Sequence, residues 1–148
     1  MKSSSKWPRR ILTVLLILTL AFIWGHSMAP ADDSSAESGF VLQLITPLLE
    51  IFTGKGNVTE HLVRKLAHFA EYMVLGVELG GLFGGDLRKY LIAVTHGLLA
   101  AFVDETIQLF VSGRSGQVQD VWLDLSGICL GAGIAALIIL AKGRGNDS

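Results

Sequence analysis

The sequence predicts an all-α integral membrane protein with four transmembrane helices. Three observations carry this. Of 148 residues, 51% are hydrophobic and only 17% are charged, against about 25% charged in an ordinary soluble domain. The mean hydropathy is +0.53. Four stretches reach the ~20 mainly apolar residues that a helix needs to cross a ~30 Å hydrocarbon core. The length suits one domain, 1–148, with no room for a folded domain outside the membrane. Twelve Lys and Arg against thirteen Asp and Glu leave a net charge of −1, so no bulk charge draws the chain to nucleic acid. The single cysteine, Cys129, lies in an apolar run and forbids an internal disulfide.

The first span, about 11–28, carries no formal charge. Lys6, Arg9 and Arg10 ahead of it, with Ala29-Pro30-Ala31 behind, also outline a signal peptide. The bulk of Trp24 and the length of the apolar run favour a retained helix. The long first loop, 29–62, opens with an acidic, Ser-rich piece at 32–38. It continues as Phe40–Phe52, with Phe40, Val41, Leu44, Ile45, Leu48, Ile51 and Phe52 on one side and Gln43, Thr46, Glu50 and Thr53 on the other. That spacing predicts a short amphipathic helix lying in the interface. Gly54, Gly56 and Asn57 end it.

The second span, about 66–83, contains His68, Glu71 and Glu78. The third, about 91–111, contains His96, Asp104 and Glu105. The fourth, about 121–141, contains only Asp124. Eight of the twelve cations (Lys2, Lys6, Arg9, Arg10, Arg88, Lys89, Lys142 and Arg144) fall at one end of these spans. By the positive-inside rule both termini are then cytoplasmic, and the first and third loops face outward. Trp7, Trp24, Tyr90 and Trp122 suit interfacial belts, and His26 suits the interface.

At 100° per residue, His61, Lys65, His68 and Tyr72 lie within about 60° of one another, flanked by Glu71. The stripe continues as Gly76, Gly80 and Gly84. Asp104, Glu105 and Gln108 share a sector of about 100° with Gly97 and Ala101 further along. Asp120 and Asp124 share a face with Gly127, Gly131 and Ala135. Small residues spaced by four let backbones approach closely in lipid. The inner halves of these faces are therefore expected to be helix contacts, and the ionisable outer halves to converge inside the bundle. Facing lipid, each charge at mid-membrane would cost about 2.5–3.5 kcal/mol, less near the interface. Five carboxylates against Arg64, Lys65 and Arg114 call for protonation, bound water or a bound cation. The glycine-rich connection 112–116, with Arg114, offers backbone N–H groups to an anion.

No P-loop, nucleophile elbow, dinucleotide fingerprint or Cys/His zinc spacing is present. No cofactor is called for beyond the divalent cation that a histidine among carboxylates could bind, and the spacing matches no strong metal motif.

Lys65-Leu66-Ala67-His68-Phe69-Ala70-Glu71-Tyr72 resembles the second-helix signature of the VanZ-like family. The run Asp104 to Phe110, then Gly113-Arg114-Ser115-Gly116, then Asp120-Val121 through Asp124, resembles the family's second block. Trp24 to Pro30 is similar to the end of its first helix. Together the resemblance runs from about residue 11 to 140. It departs at Asp124, where the pattern more often has Asn. The resemblance implies a small multi-spanning protein of the bacterial cytoplasmic membrane, in a family named for low-level teicoplanin resistance.

Each polar residue has a plain reading beside the functional one. Lys65 at a helix mouth is a snorkelling anchor or a ligand contact. His68 is a buried hydrogen-bonded ring, or a base or ligand. Glu71, Asp104, Glu105 and Gln108 are a bundle-holding network or an acid–base cluster. Arg114 neutralises acids or holds an anion. Asp120 is an N-cap of the fourth helix or a site residue, and Asp124 lies one turn deeper.

Three functions follow. The first is an envelope protein that binds or acts on a lipid-linked or anionic component, such as an envelope precursor, through a polar pocket at the outer face, lowering glycopeptide access. The second is a membrane enzyme in which His68, Glu71, Asp104 and Glu105 are the catalytic candidates, with Lys65, Gln108, Arg114, Asp120 and Asp124 as binding residues. The third is a proton-coupled transporter that also uses Glu78.

Overall fold

A computed structural model describes residues 6–30, 43, 46–51, 54–84, 86–114 and 116–144. Among these there is no strand. Four long helices follow one another: α1, Lys6–Ser27; α2, Glu60–Phe83; α3, Leu87–Gln108; and α4, Val118–Arg144. Each contains an apolar segment long enough to span a bilayer, of 19, 24, 22 and 25 residues in turn.

Their ends differ from the expected spans for local reasons. Helix α2 starts six residues earlier, because the Thr59 hydroxyl accepts from the backbone N–H of Leu62 (3.2 Å) and caps it. Helix α3 starts four residues earlier at the cap Asp86, which accepts from the N–H of Lys89 (3.0 Å). That hydrogen bond and the Lys89 ammonium hold the exposed Asp86 carboxyl below its ordinary pKa. It stops at Gln108, short of the expected 111, because the chain turns through Leu109–Gly113 with Gly113 at φ 74°. Helix α4 begins at Val118, so Asp120 is not its N-cap but sits in the first turn, where a negative charge still suits the helix dipole. Of the expected interfacial helix, residues 46–51 are helical, and Glu50 accepts from the N–H of Gly56 (2.9 Å). Phe40, Val41, Leu44, Ile45, Phe52 and Thr53 lie outside the described residues, as does the acidic piece at 32–38.

The helices alternate in direction, which makes α2 and α4 parallel, and these two pack most closely. A Cβ at Gly76 would strike the backbone of Ile128, and one at Gly131 the backbone of Met73 and Val77. At Gly127 it would stand 2.6 Å from the Phe69 carbonyl, and at Gly80 2.8 Å from the Ala135 Cβ. Gly97 of α3 receives the Ile128 side chain in the same way. The small-residue faces are thus helix contacts, as the spacing predicts. Gly84 is the exception: it is the C-cap of α2 at φ 97°, set by the turn and not by packing.

The core is Ile23, Tyr72, Leu75, Leu79, Ala93, Ala101, Val121, Ile128 and Ala132. Large apolar residues such as Ile17, Leu18, Phe22, Phe102, Trp122 and Leu137 point outward, as lipid-facing positions should. Trp24 turns inward. It is half-buried, and its indole N–H donates to the Ala100 carbonyl (3.3 Å). The Tyr72 hydroxyl reaches the same oxygen (3.4 Å). Tyr90 likewise turns inward, to the Cys129 carbonyl (3.2 Å). The side chain of Trp7 lies outside the description.

Candidate functional site

At the end of the bundle where α1 and α3 finish and α2 and α4 begin, the polar faces meet. The alternating helix directions bring this about: residues 61–72 of α2, 104–108 of α3 and 120–124 of α4 fall at one depth. The small-residue contacts beyond them hold the backbones close.

The outermost layer is an ion pair. Lys65 Nζ lies 2.8 Å from Asp120 Oδ1, joining α2 to α4. Beside it a cavity of about 90 Å³ is lined by His61, Arg64, Lys65, His68, Glu105, Gln108, Gly113, Arg114, Gln117, Asp120 and Leu123. That space holds a few waters or one phosphate-sized group. Glu105 forms part of the wall. Its Oε2 accepts from the backbone N–H of Gln117 (2.7 Å), and its Oε1 from the Gln108 amide (3.2 Å). Gly116 is confined there as well, since a Cβ would strike the Glu105 carbonyl.

Arg114 does more than neutralise acids. Its Nε donates to the Ala29 carbonyl (2.9 Å) and its Nη2 to the His26 carbonyl (3.0 Å). Those carbonyls lie at the end of α1, where the helix dipole is negative. The guanidinium therefore clasps the α3–α4 connection onto α1 while also lining the cavity. Burial first, and then the neighbouring Arg64, pull its pKa below the ordinary value, against the pull of Asp104, Glu105 and Glu71. An arginine nonetheless remains charged at neutral pH. Ser115, part of the expected anion loop, lies outside the described residues.

Beneath the cavity, His68, Asp104 and Asp124 converge from three helices, each contributing one donor atom within 4.8 Å of the others. His68 Nδ1 faces Asp104 Oδ2 at 3.7 Å. Gln108 donates to the same Asp104 oxygen (3.2 Å). Asp104 and Asp124 are fully buried.

Glu71 goes elsewhere. It does not line the cavity but turns toward α1, with Oε1 3.9 Å from His26 Nδ1. The His26 ring stacks between Phe22 and His68, at centroid distances of 6.2 and 6.5 Å. Glu78, two turns further along, accepts from the Thr19 hydroxyl (3.0 Å). His96 is exposed, packs on Phe83 and bonds its own helix at Ile92.

The convergence thus gathers Lys65, His68, Asp104, Glu105, Gln108, Arg114, Asp120 and Asp124, and leaves Glu71 at its edge. Helical spacing missed the contribution of α1, although Trp24 to Pro30 is one of the stretches that carry the family resemblance. Ser27 is fully buried beside the Asp104 carboxylate, and the half-buried His26 ring faces His68 and Glu71. The available signal was their position in the last turn of a charge-free helix, which spacing alone does not orient.

A family model described as VanZ/LLP1 matches residues 12–140 of the chain. Neither a curated protein nor a solved structure matches it.

Proposed function

The chain belongs to the VanZ-like family, and on that premise we propose that it is a bacterial envelope protein that binds an anionic, lipid-linked component in the cavity between α2, α3 and α4. One observation carries the reading. Arg64, Lys65 and Arg114 line a phosphate-sized space at the mouth of a bundle otherwise faced with apolar side chains. Guanidinium and ammonium groups in a half-dry setting favour phosphate oxygens. The chain is a multi-pass membrane protein, and the cation bias supports cytoplasmic termini and a cavity at the outer leaflet of the cytoplasmic membrane. There it would meet envelope precursors carried on lipid. The narrower role, lower access of teicoplanin to the cell surface, is supported by the family resemblance alone.

A specific observation also favours an enzymatic variant. His68 and Glu105 line the cavity, with Asp104 behind His68 at 3.7 Å. An imidazole backed by a carboxylate is suited to moving a proton at a bound head group.

The test is binding of a polyprenyl phosphate, against the polyprenol of equal chain length, to the protein in lipid nanodiscs. The expected result is preference for the phosphate, weakened about tenfold or more by Lys65→Gln, since a charge-assisted contact is worth about 1.5–3 kcal/mol. Equal binding of phosphate and alcohol overturns the reading. For the narrower role, wild type and Lys65→Gln at matched membrane levels in a susceptible Gram-positive host should differ in surface binding of labelled teicoplanin. No difference from an empty vector would remove it.

A further inference from the structure

We propose that His68, Asp104 and Asp124 form a divalent-cation site at the centre of the bundle. One ligand comes from each of α2, α3 and α4, and the three donor atoms lie within 4.8 Å of one another. Donors held tetrahedrally at about 2.0–2.2 Å from an ion are about 3.3–3.6 Å apart, so closure on a cation needs side-chain movement of up to about 1.5 Å.

The independent observation is Asp124. Its side chain is fully buried, and neither carboxylate oxygen has a hydrogen-bond partner. An unsatisfied buried polar group costs about 1–3 kcal/mol, and a charged one more. Protonation alone does not remove this cost, because the neutral acid still presents a hydroxyl and a carbonyl without partners. A cation satisfies both oxygens and the charge together. The 3.7 Å gap from His68 Nδ1 to Asp104 Oδ2 has the same sense: it is too long for a hydrogen bond and ordinary for two ligands of one ion.

The donor set selects the metal class. One imidazole nitrogen with two carboxylates suits Mn²⁺, Fe²⁺ or Zn²⁺ better than the all-oxygen preference of Ca²⁺ or Mg²⁺. The Gln108 amide on Asp104 would orient that ligand from outside the coordination sphere. Three protein ligands leave a coordination position open, and His68 borders the cavity, so the open position adjoins the space for a head group. The site does not rest on the anionic-ligand reading, since it would hold metal without any lipid.

The protein in lipid nanodiscs, stripped with chelator, is titrated with Mn²⁺ and separately with Zn²⁺. Bound metal is read by elemental analysis, and free Mn²⁺ by its paramagnetic resonance. About one ion per chain is expected, with a rise in Tm. Loss of a second-sphere partner costs about 10–100-fold in metal affinity, so Asp124→Asn and His68→Gln should each weaken binding about 100-fold. Lys65→Gln, which leaves all three ligands in place, should bind metal as wild type does. Metal-free Asp124→Asn should be at least as stable as metal-free wild type. Wild type that takes up far less than one equivalent overturns the proposal, as does Asp124→Asn or His68→Gln binding as tightly as wild type. Should Asp124→Asn fail to accumulate, the wild-type stoichiometry and His68→Gln decide.

Discussion

Lys65 and Asp120 meet at 2.8 Å across the mouth of the α2–α4 pair. Both side chains keep some exposure, 30% and 22%, so their coupling is expected to be about 1 kcal/mol or less. A double-mutant cycle of Lys65→Ala and Asp120→Ala, read by unfolding in detergent, measures it. The charge-swapped pair Lys65→Asp with Asp120→Lys should recover most of that stability yet bind polyprenyl phosphate more weakly than wild type. Recovery of both would make the pair purely structural.

The close approach of α2 and α4 depends on bare backbone. Gly131→Ala should destabilise the protein by about 2 kcal/mol or more, because its methyl has only the Met73 and Val77 backbone to displace. Gly133→Ala, two residues on with open space around it, should be neutral or stabilising by up to about 1 kcal/mol. Equal effects of the two changes would mean that the helices separate without cost.

Arg114 fastens the α3–α4 connection to the end of α1 through two backbone carbonyls. Arg114→Gln should cost about 1.5–3 kcal/mol, the range for hydrogen bonds from a charged group. Arg114→Lys should recover only part of it, since one ammonium does not reproduce the planar fork. Thermal unfolding of the three proteins in the same detergent checks the order.

Glu78 is held by a single hydroxyl. Glu78→Gln keeps an oxygen to accept from Thr19, and should leave stability within about 0.5 kcal/mol of wild type and lipid-phosphate binding unchanged. Thr19→Val leaves the carboxylate without that bond and should cost about 1–2 kcal/mol. A proton-coupled transporter would behave otherwise: Glu78→Gln would abolish function in a folded protein.

Much of this was legible in the chain itself. Apolar length fixed four spans, and period 3.6 fixed which residues of α2, α3 and α4 share a face. Because the cost of charge in lipid leaves such residues few outlets, Lys65, His68, Asp104, Glu105, Asp120 and Asp124 had to turn toward one another. Their meeting at one end needed only alternating helix directions. The rest depended on rotation and depth. Helix α1 carries no charge within its span and so no ionisable stripe to orient it, so Trp24 and His26 read as interface residues although their side chains turn into the bundle. Glu71 flanks the His68 stripe closely enough that spacing assigned it to the same pocket. Only the placement of α1 against α2 turns it to His26 instead. Which carboxylate would be left without a partner was likewise undetermined, because hydrogen bonding among converging side chains is set to tenths of an ångström by packing. That is why Asp124 stands out only in three dimensions.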